Sequence, residues 1–381
     1  MKERVKSMIR KLVSPSMRFE LRRLAEGLRE QLRRVCLWQW ELVRLPRRDG
    51  SSYDIFYAGR KGQRGLAMAL LGLDGHVDAS RVVAGLSLRA GYVCELPVPG
   101  ALRVPSSLRI VVPLGRPISE IKAGFGGELP RVVRMLRARY RTQHALDDAE
   151  IERASRDMLQ PYARARHGTA AAQIGPDVVR RMAQKVGRLD FVLLGDEVVA
   201  CHLGCVITRA GKRYWSAIRV GYPEAVFSDS KRLHETNSIN FYLALEWALE
   251  NGLDYYDMGT CMGRPDDGLL QWKRRWGGAV DTMGDPGYFH VRLPRVGVAQ
   301  FLWDAPLFAV ERQNMTLHLG LPDAPSDEEV AIRYRQMGFG GLLKIYLHCA
   351  RPPGERLLKT LRSLYTHHKS PPIVETIPAV Q

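Results

Sequence analysis

Three β-prone stretches, residues 191–194, 198–207 and 213–220, follow one another, with the turns Gly195-Asp196-Glu197 and Arg209-Ala210-Gly211-Lys212 between them. Turns this short make consecutive strands pair antiparallel, so the middle of the chain reads as a meander. A helical pattern follows from about Ser238 to Glu250, with Ile239, Tyr242, Leu243, Leu245 and Leu249 spread around it, and Asn251-Gly252 closes it. Residues 253–258 then read as one more strand. Meander, helix and strand in this order indicate a mixed α/β sheet, an arrangement that several unrelated folds share.

The flanks carry looser patterns. Residues 17–45 read as an amphipathic helix, because Leu21, Leu24, Leu28, Leu32, Val35, Trp38, Leu42 and Leu45 recur every three or four positions with arginines between them. Such a helix docks on its own domain, or lies on anionic lipid with Trp38 and Trp40 at the interface. Residues 53–58, 82–88 and 108–114 alternate with Gly and Pro as short α/β pieces. Helices are expected over 128–140, 147–162 and 176–186, and residues 370–381, with two adjacent prolines, read as a loose tail. A chain of 381 residues accommodates two domains. The expected division is a basic helix over 1–50, a first, degenerate lobe over 51–130, the main lobe over 131–290 and an extension over 291–381.

Charge narrows the partners. Lys plus Arg number 57 against 40 Asp plus Glu, a net of +17, and residues 1–48 and 131–188 hold nearly all of the excess. Arginine grips phosphate in bidentate fashion, so the surplus suits CoA phosphates, nucleotide sugars, RNA or an acidic membrane leaflet without choosing among them, and no DNA is expected. No apolar run approaches the roughly 18 residues that a membrane span needs. Six cysteines are too sparse for a disulfide framework and suit a reducing cytoplasm, with peripheral contact at the inner membrane face as an extension of the lipid reading. Walker A, dinucleotide-binding, zincin and nucleophile-elbow motifs are missing, which disfavours kinases, dehydrogenases, zinc proteases and α/β-hydrolases. Cys201-His202-x-x-Cys205 lacks a fourth ligand at suitable spacing, and strand alternation sets both thiols on one face with His202 on the other. No metal is expected there.

Tyr256-Asp257-Met258-Gly259, followed by Trp272-Lys273-Arg274-Arg275-Trp276-Gly277, resembles the end of the catalytic lobe in FemAB-like members of the GNAT acyltransferase superfamily. The arginine-rich segment 131–140, Gln160-Pro161-Tyr162 and the hairpin at 195–200 match weaker features of the same family. The resemblance spans about 130–278. It implies a GNAT-like mixed sheet, two tandem GNAT-like lobes, and acyl transfer from acyl-CoA, or from aminoacyl-tRNA, to an amine of a cell-envelope sugar or peptide precursor. No permanently bound cofactor is implied. In such folds two parallel strands splay apart, the donor's arm pairs with an exposed strand edge, and its pyrophosphate meets the next helix N-terminus.

On this chain the resemblance assigns the donor to Val220 and Gly221 at the strand end and to Asn237 and Ser238 at the expected helix start. The usual Arg/Gln-x-x-Gly-x-Gly/Ala phosphate loop is missing at that place; its pattern occurs at residues 335–340 instead. Candidate catalytic groups are Asp257, to orient or deprotonate the amine, and Lys273, to stabilise negative charge across the same cleft. His202 and Glu235, the latter in the expected loop before the helix, are further candidate bases. The rival readings are tRNA-dependent aminoacyl transfer and a non-catalytic RNA- or membrane-surface-binding protein on a degenerate fold.

Overall fold

The computed structural model describes residues 25, 39–46, 53–75, 89–168, 174–281, 287–312, 314–337, 342–363 and 372–378. The chain divides into two compact units that alternate along the sequence. One is built on Val111–Gly259 and Arg275–Gly278, the other on Leu28–Ile110, Thr260–Arg274 and Ala279–Gln381. This differs from the expected succession of lobes, and strand pairing is the reason. Tyr288–Arg292 lies between Gly91–Cys94 and Leu102–Pro105, antiparallel to both. Residues from both ends of the chain, among them Tyr57, Val93, Val104, Phe289 and Phe301, therefore bury one another in a single core.

In the first unit the meander is as read, only longer: Gly187–Leu194, Glu197–Arg209 and Lys212–Gly221 pair antiparallel in sequence. Gly195 and Gly211 sit at positive φ (61° and 75°) in the two turns, where a Cβ is strained. Tyr140–His144 forms one edge beside the meander, and Tyr255–Met262 runs parallel to Lys212–Gly221 on the other side. Alternation gives the sheet two apolar faces. Val192, Ala200 and their neighbours pack on Ile239 and Leu243 of the helix Ser230–Glu250. Leu189, Phe191, Cys201 and Leu203 pack on Ile151, Met158 and Val179 from the opposite side. Both motif cysteines thus go to the core, and burial pushes the Cys201 thiol well up.

The second unit holds a five-stranded sheet and a four-stranded one, the latter in the order Leu307–Glu311, Asn314–Leu321, Leu342–Cys349, Ile373–Pro378. Two expectations change here. Most of the amphipathic helix over 17–45 lies outside the described residues, but its end, Trp40–Arg44, is a strand paired with Ile55–Arg60. Alternation within Trp40–Arg44 buries Val43, and cross-strand pairing outweighs the helical spacing. The loose tail contains the strand Ile373–Pro378, which pairs in parallel with Leu342–Cys349. Of the Arg335–Gly340 pattern, Arg335–Met337 follow the helix Asp327–Tyr334, and its glycines lie outside the described residues. A phosphate loop of the expected kind precedes its helix.

Candidate active site

The parallel pair in the first unit stays in register for three residues only, Tyr255↔Tyr214, Tyr256↔Trp215 and Asp257↔Ser216. Both strands continue, to Gly221 and to Met262, but the register does not. The divergence begins where the neighbouring ladder slips: the meander pairing shifts between Leu203 and Gly204, leaving one extra residue, Ile218, in the outer strand. A bulge bends and twists its strand, and this one falls two residues beyond the last parallel pair, Asp257↔Ser216. Residues 217–220 are half-buried beside the opening. Gly221 ends the strand in close quarters: a Cβ there would come within 2.7 Å of Leu159 N and 2.9 Å of Cys201 Sγ. Leu159 belongs to a π-helical turn, Ser155–Leu159, set into the helical run 148–167, a distortion often found at functional sites.

The helix after the opening starts earlier than expected. It spans Ser230–Glu250, and Asp229 caps it by accepting from Lys231 N (2.9 Å) and Arg232 N (3.0 Å). Ser238 is therefore no N-cap. It lies in the third turn and donates its hydroxyl to His234 O at 2.9 Å. Asn237 is also interior and accepts from the buried Tyr222 hydroxyl at 2.6 Å. A helix-terminal phosphate contact by Asn237 or Ser238 is thus ruled out. Glu235 is helical rather than in a loop and is half-buried. The extension has a simple origin: residues 230–237 contain no Gly or Pro, and an Asp cap is as strong as a Ser cap.

Asp257 is fully buried. Its Oδ2 faces Arg209 Nη2 and the Ser216 hydroxyl, both at 3.2 Å, and its Oδ1 accepts from Gly259 N at 2.8 Å. Arg209, itself largely buried, extends over the Tyr214 ring. This carboxylate holds the last register pair together and fixes the backbone at Gly259, a strand residue whose φ is +76°. His202 lies on the other face of the sheet, among Trp215, Phe241 and Tyr256. The structure therefore does not bring His202 to Asp257. Burial lowers the His202 pKa to about 4, offset in part by Asn240, so the ring is neutral at ordinary pH. Lys273 belongs to the second unit, where its buried ammonium donates to Thr260 O at 2.8 Å.

Sequence reading missed Arg209, Ser216 and Asp229. Arg209 and Ser216 partner Asp257 only through strand register, which a single sequence does not display. Asp229 carried a signal, an Asp before a stretch free of helix breakers. Among the described residues no group of three or more His, Cys, Asp or Glu is arranged to hold a metal ion, and no helix is long and apolar enough to cross a membrane.

A strand pair that opens beyond three registered residues, with a long helix between its strands, is the layout expected of a GNAT lobe. Residues 128–274 match the model of the acetyltransferase (GNAT) domain family. Similar solved structures include FemX, with 14% identity over 68% of this chain and 91% of that one at a TM-score of 0.37. The C-terminal domain of a putative lysylphosphatidylglycerol synthetase from Agrobacterium fabrum shows 12% identity over 66% and 79%, with a TM-score of 0.33. L-PGS from Bacillus licheniformis shows 10% identity over 66% and 82%, again at 0.33. No curated protein matches the chain.

Proposed function

We propose that this protein is an acyltransferase that moves an activated acyl or aminoacyl group from a thioester or ester donor onto an amine. The observation that carries the reading is the end of the parallel register at Asp257↔Ser216, within the stretch that matches the GNAT domain family. The donor's extended arm adds to the edge of 217–220 as an extra strand would, with backbone hydrogen bonds giving affinity. The amine attacks the donor carbonyl, its proton leaves to a base, and the thiol or hydroxyl of the carrier departs. Glu235 is assigned as that base, being the sole carboxylate in the first two turns of the helix Ser230–Glu250. Asp257 acts as a positioning residue, since its lone pairs are directed at Arg209, Ser216 and Gly259. Lys273 is assigned a similar role at Thr260 rather than charge stabilisation on the carbonyl.

The acceptor is an amine on a cell-envelope sugar or peptide precursor, a reading that rests on the family resemblance. The described cysteines, all free and buried, suit a cytoplasmic setting, with peripheral membrane contact left to the basic N-terminal segment. Release of free thiol from acetyl-pantetheine or acetyl-CoA in the presence of an amine panel tests the assignment. Ala217→Trp puts a bulky side chain on the strand segment beside the opening and is expected to abolish transfer while the circular dichroism spectrum is kept. Glu235→Gln is expected to lower kcat/KM by about a hundredfold. Full activity in Ala217→Trp would overturn the placement of the donor.

A further inference from the structure

The residues between the opening and its helix do not form an anion cradle. From Tyr222 to Asn251 there is no glycine, so no backbone nest of the kind that wraps a diphosphate is available. Instead Pro223 leads into a short helix, Glu224–Phe227, that places the exposed carboxylate of Glu224 on this segment. The N-terminus of the helix Ser230–Glu250 is already occupied. Asp229 accepts from the two amides, of Lys231 and Arg232, that an incoming phosphate would otherwise use, and it sets a negative charge on the same spot. The Arg232 guanidinium is committed as well, donating to both carboxylate oxygens of Glu197 at 2.7 and 2.6 Å. Self-capping, missing glycines and a paired arginine are three separate features, and each opposes an anion at this helix end.

Building on the proposed acyl-donor seat, we infer that this protein recognises its donor without a diphosphate contact at the helix N-terminus, with Asp229 as the residue that sets this specificity. The class of donor selected is an activated acyl group on an extended thiol or hydroxyl arm, read through that arm and through backbone pairing rather than through its phosphates. A CoA thioester then gains nothing from its nucleotide part at this place.

Titration calorimetry on the intact chain with acetyl-CoA and with acetyl-pantetheine, which lacks the diphosphate, tests the inference. The two dissociation constants are expected to agree within about threefold, since no charge-assisted hydrogen bond distinguishes them. Asp229→Gly vacates the two amides and is expected to tighten acetyl-CoA by about threefold or more while leaving acetyl-pantetheine unchanged. Asp229→Asn, which keeps a cap and removes the charge, serves if the glycine variant is unstable and should shift acetyl-CoA in the same direction. A wild-type preference for acetyl-CoA of tenfold or more would overturn the inference and leave the donor seat standing. An acetyl-CoA affinity unmoved by either substitution would also overturn it. Failure of both ligands to bind at millimolar concentration overturns the donor seat itself, and this inference with it.

Discussion

Each unit contains a parallel pair of strands joined through a helix, and the two pairs end differently. In the second unit Asn314–Leu321 and Leu342–Cys349 pair over seven positions, from Met315↔Leu342 to Leu321↔Cys349, and after one register shift between Met315 and Thr316 they stay in register for the last six. In the first unit Lys212–Gly221 and Tyr255–Met262 hold for three pairs and then part. The connecting helices differ too: eight residues, Asp327–Tyr334, in the closed case and 21, Ser230–Glu250, in the open one. At 1.5 Å per residue these are about 12 and 30 Å long. The closed pair is also pinned across its strands, where His318 Nδ1 and His348 Nε2 share a hydrogen bond at 3.2 Å and Ile373–Pro378 covers the far edge. In the open pair the equivalent stretch sits opposite a bulge. A slip does not by itself open such a unit: the closed pair resumes pairing beyond its shift at Met315/Thr316, whereas the parallel register of the first unit stops at Asp257↔Ser216, next to the shift in the neighbouring ladder.

The largest effect expected from breaking this contrast is at its hinge. Asp257→Ala leaves the buried Arg209 guanidinium without its carboxylate, and loss of one partner from a buried pair costs about 3–5 kcal/mol. Urea denaturation should register that loss; a change below about 1 kcal/mol would mean that Asp257 is free for chemistry instead of holding the strands.

Acid gives the next largest effect. Burial holds His202 at about 4 in the first unit, and His318 and His348 at about 3 and 4 in the second. Their folded pKa values lie below the unfolded value of about 6.5, so between these limits the unfolded chain binds more protons than the folded one. Stability is complete above about pH 6.5 and falls as pH drops toward 4, by about 3 kcal/mol for His202 alone. With two such rings, the second unit should open first. Hydrogen exchange near pH 4.5 checks this, amides of Asn314–Leu321 losing protection before those of Glu197–Arg209. His202→Phe, which keeps an aromatic ring beside Trp215, should flatten the first unit's share of the decline.

A smaller cost is expected at Gly204, where an added Cβ would run into the Trp215 ring. Gly204→Val should destabilise by about 1–3 kcal/mol through overpacking, read as a lower thermal midpoint. The smallest is Asp229→Gly, because glycine is a tolerable cap and costs only a few tenths of a kcal/mol. A large loss there would show that Asp229 serves the fold more than the specificity of the opening.

The contrast between the two strand pairs also explains what the sequence disclosed. The meander was legible because its turns are local: Gly195 and Gly211 mark them, and turns this short leave consecutive strands to pair with each other. The Asp257 strand and the Lys273 box were legible by resemblance, yet their neighbours were not, since Arg209 and Ser216 meet Asp257 only once two distant strands are in register. The helix start was misplaced by eight residues because Ser238 and Asp229 are both acceptable caps, and only the fold decides between them. Trp40–Arg44 and Ile373–Pro378 were misread for the same reason. Each becomes a strand through a partner far along the chain, Ile55–Arg60 or Leu342–Cys349, and local periodicity carries no trace of it.

The central claim, that the open pair is where the donor binds, is tested most directly by amide hydrogen exchange with and without saturating acetyl-pantetheine. An added arm pairing with the strand edge should slow exchange within residues 217–220 by about tenfold or more, while residues 343–348 of the closed pair stay unchanged. Protection confined to any other part of the chain, or equal protection in both pairs, would contradict the account.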